Sequence, residues 1–157
     1  MGNCYNYYKI NKCKQFEDFS LDNLSTYCKV ISIYDGDTLT IGFRYLGKNF
    51  KTKIRMLGYD SPEMKPLKTL KDRDLEIEKA HSAKNFLENM VSNKILWIKF
   101  EKFDKYGRPL ANLYLLKNIC GVGILSSIDI ESINDKMIKN NHGYAYNGGT
   151  KKKPNSI

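Results

Sequence analysis

The sequence predicts an α+β domain, mainly β, whose five strands close into an OB-fold barrel. Two observations carry this. Apolar and polar side chains alternate over residues 27–57 and in the strand patterns within 95–116, and a helical stripe over 74–91 separates the two blocks. Five strands with a helix between the third and fourth is the element order of that barrel.

Residues 1–26 have no clear period. Tyr5, Tyr7, Tyr8, Phe16 and Phe19 mix with Lys and Asn, and the segment reads as an arm docked on the domain. From Tyr27, the β-branched run Val30, Ile31 and Ile33 gives the first strand, which meets the breaker Asp35-Gly36-Asp37. Thr38–Tyr45 is the second strand, where Leu39, Ile41 and Phe43 alternate with Thr40, Gly42 and Arg44. The turn Leu46-Gly47-Lys48-Asn49 leads into the third strand, Phe50 to about Leu57. Turns this short leave the three strands antiparallel. Tyr59-Asp60-Ser61-Pro62-Glu63 ends the sheet, and the basic stretch 64–73 reads as a loop. Ala80, Ala83, Phe86, Leu87, Met90 and Val91 then form one helical stripe, closed by Ser92-Asn93. Ile95–Phe100 and Leu110–Leu116 are the fourth and fifth strands, joined by the turn Asp104–Pro109. Residues 118–129 are apolar but punctuated by Gly and Ser, and take no assignment. Residues 131–141 read as a short helix with Gly143 as its C-cap. The domain is bounded at 27–146, with a basic tail over 147–157.

The 157 residues suit one domain. A net charge of +9 points to a polyanionic partner, nucleic acid or an anionic membrane surface. No stretch is apolar for long enough to span a bilayer. The first residues carry no apolar core of a secretory signal, so an intracellular, cytoplasmic location is expected. Cys4, Cys13, Cys28 and Cys120 lack zinc-ligand spacing and read as reduced thiols. His81 reads as a surface residue and His142 as part of a helix end; neither is assigned a catalytic role.

Three constellations carry chemistry, and each falls at a strand end. Asp35-Gly36-Asp37-Thr38 would alone be an Asp-Gly turn. Arg55 with Asp60-Ser61-Pro62-Glu63 would alone be a proline turn with a surface ion pair. Asp104-Lys105-Tyr106-Gly107-Arg108 would alone be a basic turn. One rim of a small barrel can gather all three. Carboxylates then bind a hard cation through oxygen, another carboxylate handles water, and arginine forks meet phosphate oxygens. That set suits metal-assisted phosphodiester cleavage.

In this combination and order, DGDT, then R-x₄-D-S-P-E, then DKYGR closely resemble the staphylococcal nuclease (thermonuclease) family, over about 27–145. The resemblance implies a five-stranded Greek-key barrel with about three helices. It implies an endonuclease that uses one Ca²⁺ and hydrolyses DNA and RNA to products with 3′-phosphates. A monomer that prefers single-stranded or frayed substrate is expected. Position by position, it makes Asp37 and Asp60 the calcium-binding carboxylates, with Ser61 adding its backbone carbonyl. Glu63 orients or deprotonates the attacking water, and Arg55 and Arg108 bind phosphate. Lys105 and Tyr106 contact the substrate's terminal phosphate, and Asp35 is a further acidic residue near the metal. Residues 1–26 have no counterpart in the family's core domain, and 118–129 look like an insertion. Tyr144 and Tyr146 lie near the family's base-stacking aromatic without a matching register.

Two alternatives stay open: a catalytically inactive nucleic-acid-binding module of the same fold, and a membrane-associated scaffold. The complete set Asp37, Arg55, Asp60, Glu63 and Arg108 favours the enzyme. Gly2, exposed once Met1 is removed, and Cys4 match part of an acylation pattern, with Asn6 where Ser or Thr is preferred. They carry the expectation of a lipid tether, which needs a second chain or the basic Lys9, Lys12 and Lys14. Lys48, Lys51, Lys53, Lys65, Lys68 and Lys71 are expected to track the nucleic-acid backbone beside the rim.

Overall fold

Strands β1 (Ser25–Ile33), β2 (Thr38–Tyr45) and β3 (Lys48–Met56) form the expected antiparallel meander. A turn after β3 leads to the short β4 (Tyr59–Asp60) and then to helix α1 (Arg73–Val91). β5 (Ile95–Phe103) pairs with β1, and β6 (Pro109–Asn118) pairs with β5. The circuit closes where β6 runs parallel to β3, with Arg55 opposite Leu110 and Met56 opposite Ala111. The result is a closed, mixed five-stranded barrel, with three helices among the described residues: α1, α2 (Ile133–Lys139) and a short one about residues 9–12. The computed structural model describes residues 6, 9–16, 18–118 and 126–146, so Gly2, Cys4 and the 147–157 tail lie outside the described residues.

Alternation places one face of each strand inside. Leu39 and Ile41 of β2, Ile54 and Met56 of β3, Leu96, Ile98 and Phe100 of β5, and Leu113 of β6 are all essentially inaccessible. α1 lays Ala80, Ala83, Leu87 and Val91 inward, while Phe86 and Met90 of the expected stripe pack at its margin. His81 is exposed, as expected.

The structure differs from the sequence reading at several boundaries. β1 starts ahead of residue 27, and Leu21 is buried in the core, so apolar burial reaches into the arm. Leu46 and Gly47 alone turn the β2–β3 hairpin, both with positive φ (47° and 76°), a two-residue turn that lets β3 begin at Lys48. Within the unassigned stretch, β7 (Ser126–Ile128) pairs antiparallel with the end of β6. α2 starts two residues later than expected because the Ser132 hydroxyl accepts the Asp135 N–H as N-cap.

The C-cap expectation for Gly143 is corrected. Asn141, at φ 59°, takes the left-handed position. The N–H groups of Asn141 and His142 donate to the carbonyls of Ile138 and Met137, a complete Schellman motif. The His142 ring stacks on Phe86 at 4.2 Å, and burial pulls its pKa down. Gly143 serves close approach instead. A Cβ there would lie 2.4 Å from Tyr59 Cδ2 and 3.0 Å from the Asp60 carbonyl oxygen, beneath the pairing of β4 with β8 (Tyr144–Ala145). Gly143→Ala is therefore expected to destabilise the fold by about 1–3 kcal/mol, the usual range for overpacking, as measured by urea unfolding.

Asp129 ties β7 to its neighbours, with Lys117 Nζ at 2.8 Å and Lys136 Nζ at 2.6 Å. Those two ammonium groups hold its carboxyl far below the ordinary 3.8. A lowered folded-state pKa gives stability that is fully present above the ordinary value and is lost as pH falls from there through the lowered one. Asp129→Asn is expected to lower stability at pH 7 and to flatten the acid limb below about pH 4 in a thermal-unfolding series against pH.

Candidate active site

The DGDT turn is built by its first aspartate. Asp35 Oδ1 accepts the N–H groups of Asp37 (3.1 Å) and Thr38 (2.7 Å), an Asx turn that closes β1 onto β2. Gly36 lets this turn press on the next segment: a Cβ there would stand 2.7 Å from Ser61 Cβ and 3.0 Å from Ala83 Cβ. The buried Tyr59 fastens the two from below, its hydroxyl donating to the Gly36 carbonyl at 2.5 Å.

Strand register then sets Asp37 beside Arg55, because Thr38 and Arg55 are direct partners in the β2–β3 ladder. Arg55 Nη1 donates to Asp37 Oδ1 at 2.8 Å, and its Nη2 is ion-paired with Asp60 Oδ1. Asp37 also accepts the Thr38 hydroxyl (2.8 Å) and, on Oδ2, the Ser61 N–H (3.0 Å). Both carboxylates are buried, 5% and 1% exposed, so the guanidinium between them offsets a large desolvation cost.

The parallel β3–β6 contact brings the third motif to the same rim. Asp104 opens that turn as an anchor. Its Oδ1 accepts the N–H groups of Tyr106 and Arg108 at 2.9 Å, and its Oδ2 takes Arg108 Nε and Nη2, each at 2.7 Å. Burial raises the Asp104 pKa, but the Arg108 backbone and side-chain hydrogen bonds outweigh it and hold the carboxyl below its ordinary range. Arg108 Nη1 reaches Thr38 Oγ1 at 3.4 Å. One polar chain thus runs Asp60–Arg55–Asp37–Thr38–Arg108–Asp104 and threads all three motifs. Tyr106 is 72% exposed, its ring beneath the Lys105 ammonium and beside the Arg108 guanidinium.

These residues line one open cleft, with Glu63 at its exposed lip, where the Glu63 N–H donates to Glu76 Oε1 at 3.2 Å. Six carboxylates line it (Asp35, Asp37, Asp60, Glu63, Asp104 and Asp135) against three cations, Arg55, Lys105 and Arg108. In a chain of net charge +9, this is a local excess of negative charge with hard oxygen donors, the environment that suits a divalent cation. Among the described residues no cluster of three or more His, Cys, Asp or Glu forms a ready-made metal cage; the guanidinium of Arg55 bridges the two buried carboxylates. Asp35 is pushed up to about 6, first by burial and then by the Asp37 charge, so added positive charge here is favourable.

Every site residue expected from the sequence within the described segments, Asp35, Asp37, Arg55, Asp60, Ser61, Glu63, Lys105, Tyr106 and Arg108, lines this cleft. The lysine track does not: none of Lys48, Lys51, Lys53, Lys65, Lys68 and Lys71 lines it, though all six are exposed. Lys48, Lys51 and Lys53 lie on β3 back towards its hairpin with β2, and the strand reaches the rim only at Arg55. Tyr144 pairs with Asp60 in the β4–β8 ladder, and Tyr146 donates its N–H to the Gly58 carbonyl and lines the cleft. Asp104, Thr38 and Tyr59 stand within the quoted motifs but were given no role; only the Asp at the head of a Gly-containing turn signalled that of the first.

A family model described as staphylococcal nuclease homologue matches residues 53–156. No curated protein gives a significant match to the chain.

Proposed function

Since the chain belongs to the staphylococcal nuclease homologue family, we propose that it is a calcium-dependent nuclease that hydrolyses DNA and RNA to products with 3′-phosphates. The observation that supports this most is the polar chain from Asp60 to Asp104, which sets two arginines beside two buried carboxylates in one cleft. Asp37, Asp60 and the Ser61 carbonyl would hold the cation, which when bound polarises a phosphoryl oxygen.

The chain's own groups do the rest. Arg55 and Arg108 offer planar forks to the non-bridging oxygens, where charge builds up in the transition state. Arg108 is pre-set for this by Asp104, so little ordering is left for the moment of reaction. Glu63, at the lip, orients or deprotonates the attacking water. Lys105 and Tyr106 meet a terminal phosphate at the exposed edge. No base-reading pocket is required, which fits action on both sugars.

The test is digestion of plasmid, single-stranded DNA and RNA with calcium, with magnesium and with chelator. Calcium is expected to support cleavage of all three. Magnesium should substitute badly, since it demands a stricter octahedral shell. Asp60→Asn should remove both calcium binding, followed by calorimetry, and cleavage. Equal activity in chelator would overturn the reading.

A further inference from the structure

The outer wall of the barrel presents rings and cations together. Cross-strand register puts Tyr114 of β6, Trp97 of β5 and Tyr27 of β1 side by side, and Arg44 of β2 continues the row one step beyond the Cys28–Phe43 pair. Tyr27 is 53% exposed and meets Trp97 edge to face, with centroids 5.1 Å apart. The next row reads Ile95, Lys29, Gly42 and Lys51 across β5, β1, β2 and β3. Beyond it Lys53 lies over the exposed Tyr34 ring at 5.3 Å. Neither row contains a carboxylate. Lys29, Arg44, Lys51 and Lys53 are all exposed, and none forms an ion pair among the described residues. A shallow groove follows Tyr27, Lys29, Arg44 and Lys51.

This wall is continuous with the cleft. Asn112 and Tyr114 line the cleft from β6, and Tyr114 is also the ladder partner of Trp97. From Tyr114 to Arg44 is three strand spacings, about 14 Å.

We propose that the outer face of β5–β1–β2 is a second nucleic-acid site, a sequence-tolerant track that takes the single strand as it leaves the cleft past Tyr114. Unpaired bases stack on Trp97 and Tyr27, and the phosphates run along Lys29, Arg44 and Lys51. Interleaved rings and cations are what single strands need, because every base has a π-face and every nucleotide a charge. An anionic bilayer would also meet the cations, and it is set against the single strand as an outcome of the test below. The track rests on the proposed function only for its choice of polymer.

Trp97 is the chain's one tryptophan, half-buried in this wall and absent from the cleft lining, so its emission reports on the track directly. The 157-residue chain is titrated in chelator, where calcium-dependent cleavage is silent, with an oligothymidylate of roughly 20 nucleotides. Saturating quenching of Trp97 is expected. Lys29→Glu with Arg44→Glu should weaken binding about 10-fold or more and lower the salt slope by about 1 to 2, as two phosphate contacts on a single strand predict. Circular dichroism checks the fold of the variant, and quenching of the unmodified protein stands as evidence if it misfolds. Trp97 emission unmoved at saturation, or affinity and salt slope unchanged in the folded variant, would overturn the proposal. So would a Trp97 response to phosphatidylserine vesicles with none to the oligonucleotide. The two readings fail separately: a protein that quenches but never cuts keeps the track and loses the nuclease, and one that cuts with Trp97 silent does the reverse.

Discussion

Arg108→Ala is expected to slow cleavage by about 10²-fold or more while the fold stands, the usual cost of removing one donor aimed at transition-state charge. The side chain is 27% exposed and its partners are Asp104 and the Thr38 hydroxyl. Its loss opens no cavity in the barrel, and Asp104 keeps the backbone N–H groups of Tyr106 and Arg108. Arg108→Lys should rescue poorly, since an ammonium cannot engage Asp104 through two nitrogens and still present a donor towards Thr38. Single-turnover cleavage of a labelled oligonucleotide, with thermal unfolding as control, checks this. Full activity in Arg108→Ala would remove the arginine from the mechanism.

Arg55→Ala should behave differently, through stability as well as rate. Arg55 is 15% exposed and is the shared partner of two carboxylates that are themselves almost inaccessible. Removing it leaves two buried negative charges against each other, and breaking a buried pair in this way typically costs about 3–5 kcal/mol. The expected result is a large drop in denaturant midpoint in chelator, together with loss of cleavage. Arg55→Lys can hold one carboxylate but not both, and should recover only part of the stability. An unchanged midpoint in Arg55→Ala would show that the two carboxylates do not depend on it.

Much of this architecture was legible because its signals are local. Alternation in β2 and the Ala83–Leu87–Val91 stripe of α1 each follow one period, and each buries the face that period marks. The site motifs were legible for a related reason: each sits at a strand end, and a closed barrel brings strand ends to a rim. What the sequence hid depends on long-range packing. Gly143 looked like a cap because it follows a helix, yet Tyr59, far away in the chain, is what forbids a side chain there. β7 was hidden because three residues show no period; the hydrogen bonds of β6 define it. The lysines of β3 were assigned to the rim by sequence distance, whereas the strand's direction carries them along the outer wall.

On the proposed function, the cleft lined by Asp37 and Arg108 cleaves phosphodiesters with calcium and leaves the phosphate on the 3′ side. End analysis of the products tests this most directly, when the purified 157-residue chain digests an internally labelled single-stranded oligonucleotide in calcium. The expected result is fragments that carry 3′-phosphates and 5′-hydroxyls, absent in chelator and in Asp37→Asn. Fragments with 5′-phosphates, or the same fragments from Asp37→Asn, would overturn the proposed function.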